Sequence, residues 1–334
     1  WEKSYPEVLQ NYQIDPSLLQ ANLAGLAQES AKKYGSATAF TFIGSNDSMT
    51  SVSYQQVDTL SSDLSRYFLD VMQLKRGDVV AVQLLNSLHY PVAVFAAWKA
   101  GLIVTNVNPL YTARELEHQL VDSGANLLIV IDFFASNAEP IAKKLNLPVI
   151  LAGLDDFKNA YLHDGDESLL EEGTFLKALA EGGKFEGAYP DLHPVALYQY
   201  TGGTTGQSKG AIITHANIFA VLSMAEDFVA AYGVEVEQGN TVLTVLPMYH
   251  IFAFNFNFLL FFKSGGHNLL VPIPRPLTNL KPAFDHFDID WMTGVDTLFN
   301  GLLNEPWFAQ AKPKIGFAVS GGTALRPSTA RMWR

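Results

Sequence analysis

The sequence predicts an α/β fold with mainly parallel sheets. Three observations carry this. Short apolar runs alternate with helical stripes along the chain, joined by short turns. The run over residues 78–85 has the continuous apolar character of a strand buried on both faces. Two helices are announced by capping boxes, at Ser53–Gln56 and Thr112–Glu115.

In order, Asp15-Pro16 starts a helix, with proline in its first position. Leu18, Leu19, Leu23, Leu26 and Ala27 continue its stripe to about Tyr34. Residues 37–43 read as a strand. The Ser53 box opens a helix that ends near Leu74-Lys75-Arg76-Gly77. After the 78–85 strand comes a helix over about 87–100, stopped by Gly101, then a strand over 102–107. Asn108-Pro109-Leu110-Tyr111 is a turn, and the Thr112 box opens a helix lined by Leu116, Leu120 and Val121. Residues 126–131 and 148–151 are strands. Residues 155–190 are polar, acidic and glycine-rich, a surface excursion with one short helix near 176–179. An apolar helix follows Thr214 to about Tyr232. Strands are expected at 195–198, 211–214, 241–246, 268–272, 289–293 and 315–320, and Arg326 begins a last helix.

Composition narrows the function. The chain has 334 residues, enough for more than one core. Its net charge of −11 argues against a nucleic-acid binder, which normally shows a basic face. With no cysteine, disulfides and thiol catalysis are excluded, and a reducing cytoplasm fits. Trp1-Glu2-Lys3-Ser4-Tyr5-Pro6 lacks a signal peptide's apolar core, and the missing initiator Met places Trp1 inside a longer natural sequence. No apolar run reaches the length of a membrane span, so contact with the inner membrane face would be peripheral.

The chemistry concentrates in residues 200–211: Tyr200, Thr201, Gly202, Gly203, Thr204, Thr205, Gly206, Gln207, Ser208, Lys209, Gly210 and Ala211. Such a stretch builds no core. It exposes backbone N–H groups and hydroxyls around an anion, with Lys209 as a mobile cation. The Walker A pattern fails, because Ser208 precedes Lys209 and Gly210 follows it. The dinucleotide G-x-G-x-x-G is absent. An ordinary hairpin would need far fewer residues.

Residues 200–211 resemble the phosphate-binding loop of the adenylate-forming superfamily, and the surrounding chain is most similar to bacterial long-chain fatty acid–CoA ligases. That family makes an acyl-adenylate from a carboxylate and ATP with Mg2+, releases pyrophosphate, and passes the acyl group to coenzyme A. The resemblance implies two packed subdomains, residues 1–77 with 214–334 and residues 78–213. It implies that Lys209, Thr204 and Thr205 act on the triphosphate. It implies that the turn Ser320-Gly321-Gly322-Thr323 lies between acyl chain and adenine, with Gly321, Gly322 and Thr323 on the nucleotide. His250 and Phe254, with Gly294, Val295 and Gly321, would border the acyl substrate.

Residue by residue, plainer readings stand beside these. His250 at a strand end is equally a histidine held by a backbone partner. The run Phe252, Phe254, Phe256, Phe258, Phe261, Phe262 is more often core than pocket, and Asn255 and Asn257 even permit a strand; the resemblance implies a helix bordering a fatty-acyl tunnel. The 320–323 turn needs glycine for its backbone angles in either case. Asp296 is a candidate cap of the next helix.

Three family elements are absent. They are a Tyr-Gly-x-Thr-Glu segment for magnesium, a Thr-Gly-Asp segment for ribose, and a C-terminal domain carrying the adenylation lysine. The chain therefore reads as the N-terminal part of such an enzyme, inactive or impaired alone. An acyl-AMP ligase, an aryl–CoA ligase, and a non-catalytic nucleotide- or acyl-binding module are the alternatives. Homodimer formation is left open.

Overall fold

The structure is a computed structural model. It describes all residues except 1–4, 11, 21, 45–46, 160–170, 187–188, 202–206 and 334. Among the described residues are twelve strands: β1 (Thr38–Ile43), β2 (Met49–Ser53), β3 (Val79–Gln83), β4 (Ile103–Asn106), β5 (Ala125–Ile131), β6 (Val149–Ala152), β7 (Val195–Thr201), β8 (Lys209–Thr214), β9 (Thr241–Thr244), β10 (His267–Leu270), β11 (Ile289–Gly294) and β12 (Ile315–Ser320). They form two six-stranded sheets, ordered β12-β11-β9-β10-β1-β2 and β6-β5-β3-β4-β7-β8. One edge pair in each sheet, β1–β2 or β7–β8, is antiparallel. The other pairs are parallel.

Parallel neighbours need long crossovers, and these carry the helices that cover the sheets. All five residues of β3 are buried, which explains its unbroken apolar sequence. The largest core draws on both sheets. Phe262 stacks on Phe40 of β1 with ring centroids 5.7 Å apart, and lies 4.8 Å from Phe95 of the helix His89–Lys99. Alternate residues of the same strands turn to two smaller cores. Leu243, Leu269 and Met292 belong to one, and Ala81, Leu128 and Val130 to the other.

Local signals hold at several helix starts. Ser53 accepts from the Gln56 N–H at 3.2 Å while the Gln56 side chain accepts from the Ser53 N–H at 2.8 Å. The Thr112–Glu115 box is likewise reciprocal. A third box joins Thr214 and Asn217 at the start of the helix His215–Ala230.

Elsewhere the structure departs from expectation. The predicted helix 16–34 is split into a 3-10 turn, Pro16–Gln20, and an α-helix, Leu26–Tyr34. The Leu23 N–H is diverted to the Nδ1 of buried His215, so it cannot continue a helix. The helix Ala135–Leu145, with Pro140 inside it, was not expected from the sequence. Asp296 does not cap its helix. Its carboxylate accepts from the Arg326 backbone N–H at 3.0 Å and the Arg326 Nε at 2.6 Å, which lowers its pKa. No helix among the described residues is long and apolar enough to cross a membrane.

Candidate active site

The hairpin of β7 and β8 carries the predicted phosphate loop. Thr201 and Lys209 are cross-strand partners at the open end of this pairing. Gly202, Gly203, Thr204, Thr205 and Gly206 lie outside the described residues. The stem is held from one side. The Tyr200 hydroxyl donates to Asp122 Oδ2 at 2.6 Å, and His118 Nε2 donates to the Ser208 carbonyl at 3.0 Å. Burial first, and the Asp122 carboxylate second, push the Tyr200 phenol up, so it remains protonated. Gly210 is required by close approach: a Cβ there would fall 2.9 Å from the Tyr200 ring. Ala211 pairs with Gln199. Gln207 and Lys209 are exposed.

A second part of the site follows β9. The turn closes through His250 N–H donating to the Pro247 carbonyl at 3.0 Å, and the His250 carbonyl accepts from Phe254 N–H at 2.9 Å. The His250 ring reaches solvent and leans on Tyr249, with centroids 4.8 Å apart. Partial desolvation lowers its pKa, so the imidazole is neutral at neutral pH.

The ends of β11 and β12 complete it. Gly294 and Ser320 are register partners, and Gly321 N–H donates to the Gly294 carbonyl at 3.2 Å. Gly321 lies against Phe252, two residues past His250; a Cβ there would come within 2.9 Å of the Phe252 ring. Gly322 adopts φ +77°, open to glycine, and faces Val295. Thr323 is exposed.

Two apolar cavities flank this turn. One, of about 330 Å³, lies between the helix His215–Ala230 and the run from Ile251, lined by Val221, Leu222, Ala225, Ile251, Phe252, Asn255 and Phe256. Asn255 Oδ1 is buried and unpaired among the described residues. The other, of about 510 Å³, is lined by Pro109, Leu110, Phe133, Tyr249, Ile273, Arg275 and Val295, among others.

The aromatic run is helical, with a π-helix over Phe254–Leu260. This settles which rings face where. Ile251, Phe252, Asn255 and Phe256 share the groove face. Phe254 is fully buried against Tyr90, Trp98 and Phe258, and lines neither of these two cavities. Val295 lines the larger cavity, not the smaller. The sequence reading missed Val221, Leu222 and Ala225, which the apolar pattern of their helix hinted at. Among the described residues no three His, Cys, Asp or Glu side chains able to hold a metal ion converge.

A fold of two mainly parallel sheets with a glycine- and threonine-rich hairpin defines a class, and the comparisons agree. The chain matches the AMP-binding enzyme family over residues 27–334 and belongs to it. The long-chain-fatty-acid–CoA ligase of Escherichia coli O157:H7 is 36% identical over 351 aligned residues, covering 100% of this chain and 61% of that protein. The enzyme of that name from Bacillus subtilis strain 168 is 28% identical, covering 97% and 59%. Among solved structures, the long-chain-fatty-acid–CoA ligase of Archaeoglobus fulgidus superposes with a TM-score of 0.76 at 20% identity, covering 96% of this chain and 61% of its own. An anthranilate CoA ligase in complex with anthranoyl-AMP gives 0.79 at 19%, covering 94% and 57%. The chain thus spans about three fifths of the curated relatives it matches.

Proposed function

We propose that the intact protein activates a medium- or long-chain fatty acid with ATP and then transfers the acyl group to coenzyme A. The observation that carries this reading is the groove beside Gly321 and Phe252, whose walls are apolar except for Asn255. Each buried methylene gains about 0.8 kcal/mol, so a long alkyl chain profits from such walls and a short polar acid does not.

In the first step a carboxylate oxygen attacks the α-phosphorus of ATP. The bond to the bridging oxygen breaks and pyrophosphate leaves with its electron pair. The carboxylate is already a nucleophile, so no base is needed. The protein orients the reactants and stabilises charge. Lys209, Thr204 and Thr205 hold the β- and γ-phosphates. Neutral His250 donates a hydrogen bond near the carboxylate without adding charge. Gly321, Gly322 and Thr323 give the nucleotide a close backbone surface. In the second step the thiol of coenzyme A attacks the acyl carbonyl and AMP leaves. The larger cavity, with Tyr249 and Val295 on its wall and Arg275 at its edge, suits that approach. Residues 1–77 with 214–334, and residues 78–213, act as the two subdomains, and the protein works in the cytoplasm. The test is pyrophosphate exchange into ATP by the intact protein with acids of increasing length. Exchange should rise with chain length to a plateau. Acetate as the best acid, or no exchange with any acid, would overturn the reading.

A further inference from the structure

The two halves of the site come from different sheets. The phosphate hairpin belongs to one, and the His250 turn follows β9 of the other. Adenylation needs both held in fixed register, because small misplacements of reacting groups cost heavily. Three buried polar side chains from the hairpin's side, Asn86 and Tyr90 past β3 and Gln199 on β7, reach across to the backbone of that turn, and Asn106 on β4 ties Tyr90 to Gln199. Asn86 accepts from Met248 N–H at 2.8 Å, and its Nδ2 donates to the carbonyls of Thr244 and Leu246 at 3.1 and 3.0 Å. The Tyr90 hydroxyl lies 2.6 Å from Asn106 Oδ1 and 3.0 Å from the Met248 carbonyl. Asn106 Nδ2 donates to Gln199 Oε1 at 3.2 Å, and Gln199 Nε2 donates to the Tyr249 carbonyl at 3.2 Å. All four are at most 5% exposed. Gln199 directly precedes Tyr200, so the chain of bonds runs from the phosphate hairpin to the residue before His250.

Such a network is expensive to bury half-satisfied and rigid when complete. Simple cohesion between the sheets does not require it, since the phenylalanine core already joins them. Five of its bonds end on the backbone between Thr244 and Tyr249, and a longer one runs from Asn86 Nδ2 to the Val271 carbonyl at 3.4 Å.

We propose that Asn86, Tyr90, Asn106 and Gln199 are positioning residues that fix the His250 turn against the phosphate hairpin. This rests on the functional reading above. They act through His250; of the four, Asn86 also lines the larger cavity.

The test compares Tyr90→Phe and Gln199→Leu in the intact protein, each alone and combined with His250→Ala, by pyrophosphate exchange. Tyr90→Phe keeps the ring and removes only the hydroxyl, so it remains informative if Gln199→Leu fails to fold. The expected result is a kcat lower on the order of 10- to 100-fold, with KM for ATP and acid little changed. In the His250→Ala background the same changes should have little further effect. Losses that multiply with His250→Ala, or a rise in KM at unchanged kcat, would overturn the proposal while leaving the functional reading intact. No exchange by the unaltered protein would overturn the reading and the proposal with it.

Discussion

Gly321→Ala is the sharpest perturbation of the acyl groove. The backbone at Gly321 lies outside the left-handed region, so alanine meets no conformational strain and the effect is steric. Its Cβ would fall 2.9 Å from Phe252 Cε1, 3.0 Å from Cζ and 3.3 Å from Cδ1. An unstrained carbon–carbon contact is ~3.5–4.0 Å, so the ring must retreat by roughly 0.5–1 Å. Phe252 lies on the groove wall beside Phe256, at a centroid distance of 6.0 Å, so the retreat narrows the groove. Overpacking of this kind costs about 1–3 kcal/mol. Expressed only with chains that reach Phe252, it lowers kcat/KM roughly 5- to 150-fold. The assay is pyrophosphate exchange by the intact protein across acids of increasing length. Long acids should lose most and short acids little. An equal loss at every length, with a raised KM for ATP, would refute the steric argument and leave the glycine acting on the nucleotide alone.

Other outcomes follow from the same geometry. Lys209→Ala should lower kcat for exchange by about 10²–10³, the usual loss for one charge-stabilising donor, with unchanged thermal stability since the side chain is exposed; normal exchange would remove it from the mechanism. Asn255→Leu removes an unpaired buried carbonyl from an apolar wall and should lower KM for the longest acids; an unaltered profile would mean that the chain runs elsewhere. Gly182→Ala would put a Cβ 1.8 Å from the Asp63 carbonyl oxygen, forcing the helices Phe175–Gly182 and Tyr54–Arg66 apart. A loss of about 3 kcal/mol in denaturant unfolding is expected, and a neutral result would contradict that packing. Burial pulls the His215 pKa down to about 4 from an ordinary value near 6.5. The unfolded chain takes the proton first, so stability is complete above about pH 6.5 and falls as pH drops towards 4, by up to roughly 3 kcal/mol. His267, also pulled down to about 4 by burial, adds a slope of the same sign. His215→Gln should therefore reduce the acid loss without abolishing it, and an unchanged slope would count against the buried neutral state.

Much of the fold was legible because its signals are local. The buried run of β3 and the boxes at Ser53 and Thr112 need only a few neighbouring residues to be read. What was lost depended on distant partners. The break before Leu26 reflects a bond to His215, 192 positions away. At the site, the composition of the phosphate loop was plain from sequence. The orientation of the phenylalanines was not. Six rings within eleven residues look alike until helix geometry, here including a π-helix, decides that Phe252 and Phe256 face a groove and Phe254 faces Trp98. Asn86 and Gln199 carried no motif at all. Their role appears only when two sheets meet.

The most direct test of the account is a structure of the intact protein with a non-hydrolysable long-chain acyl-adenylate. The alkyl chain should run between the helix His215–Ala230 and the face bearing Phe252, Asn255 and Phe256. Its adenylate should sit beside Gly321 and Lys209. A chain lodged in the cavity bordered by Leu110, Phe133 and Arg275, with the first groove empty, would contradict the assignment on which the functional reading rests.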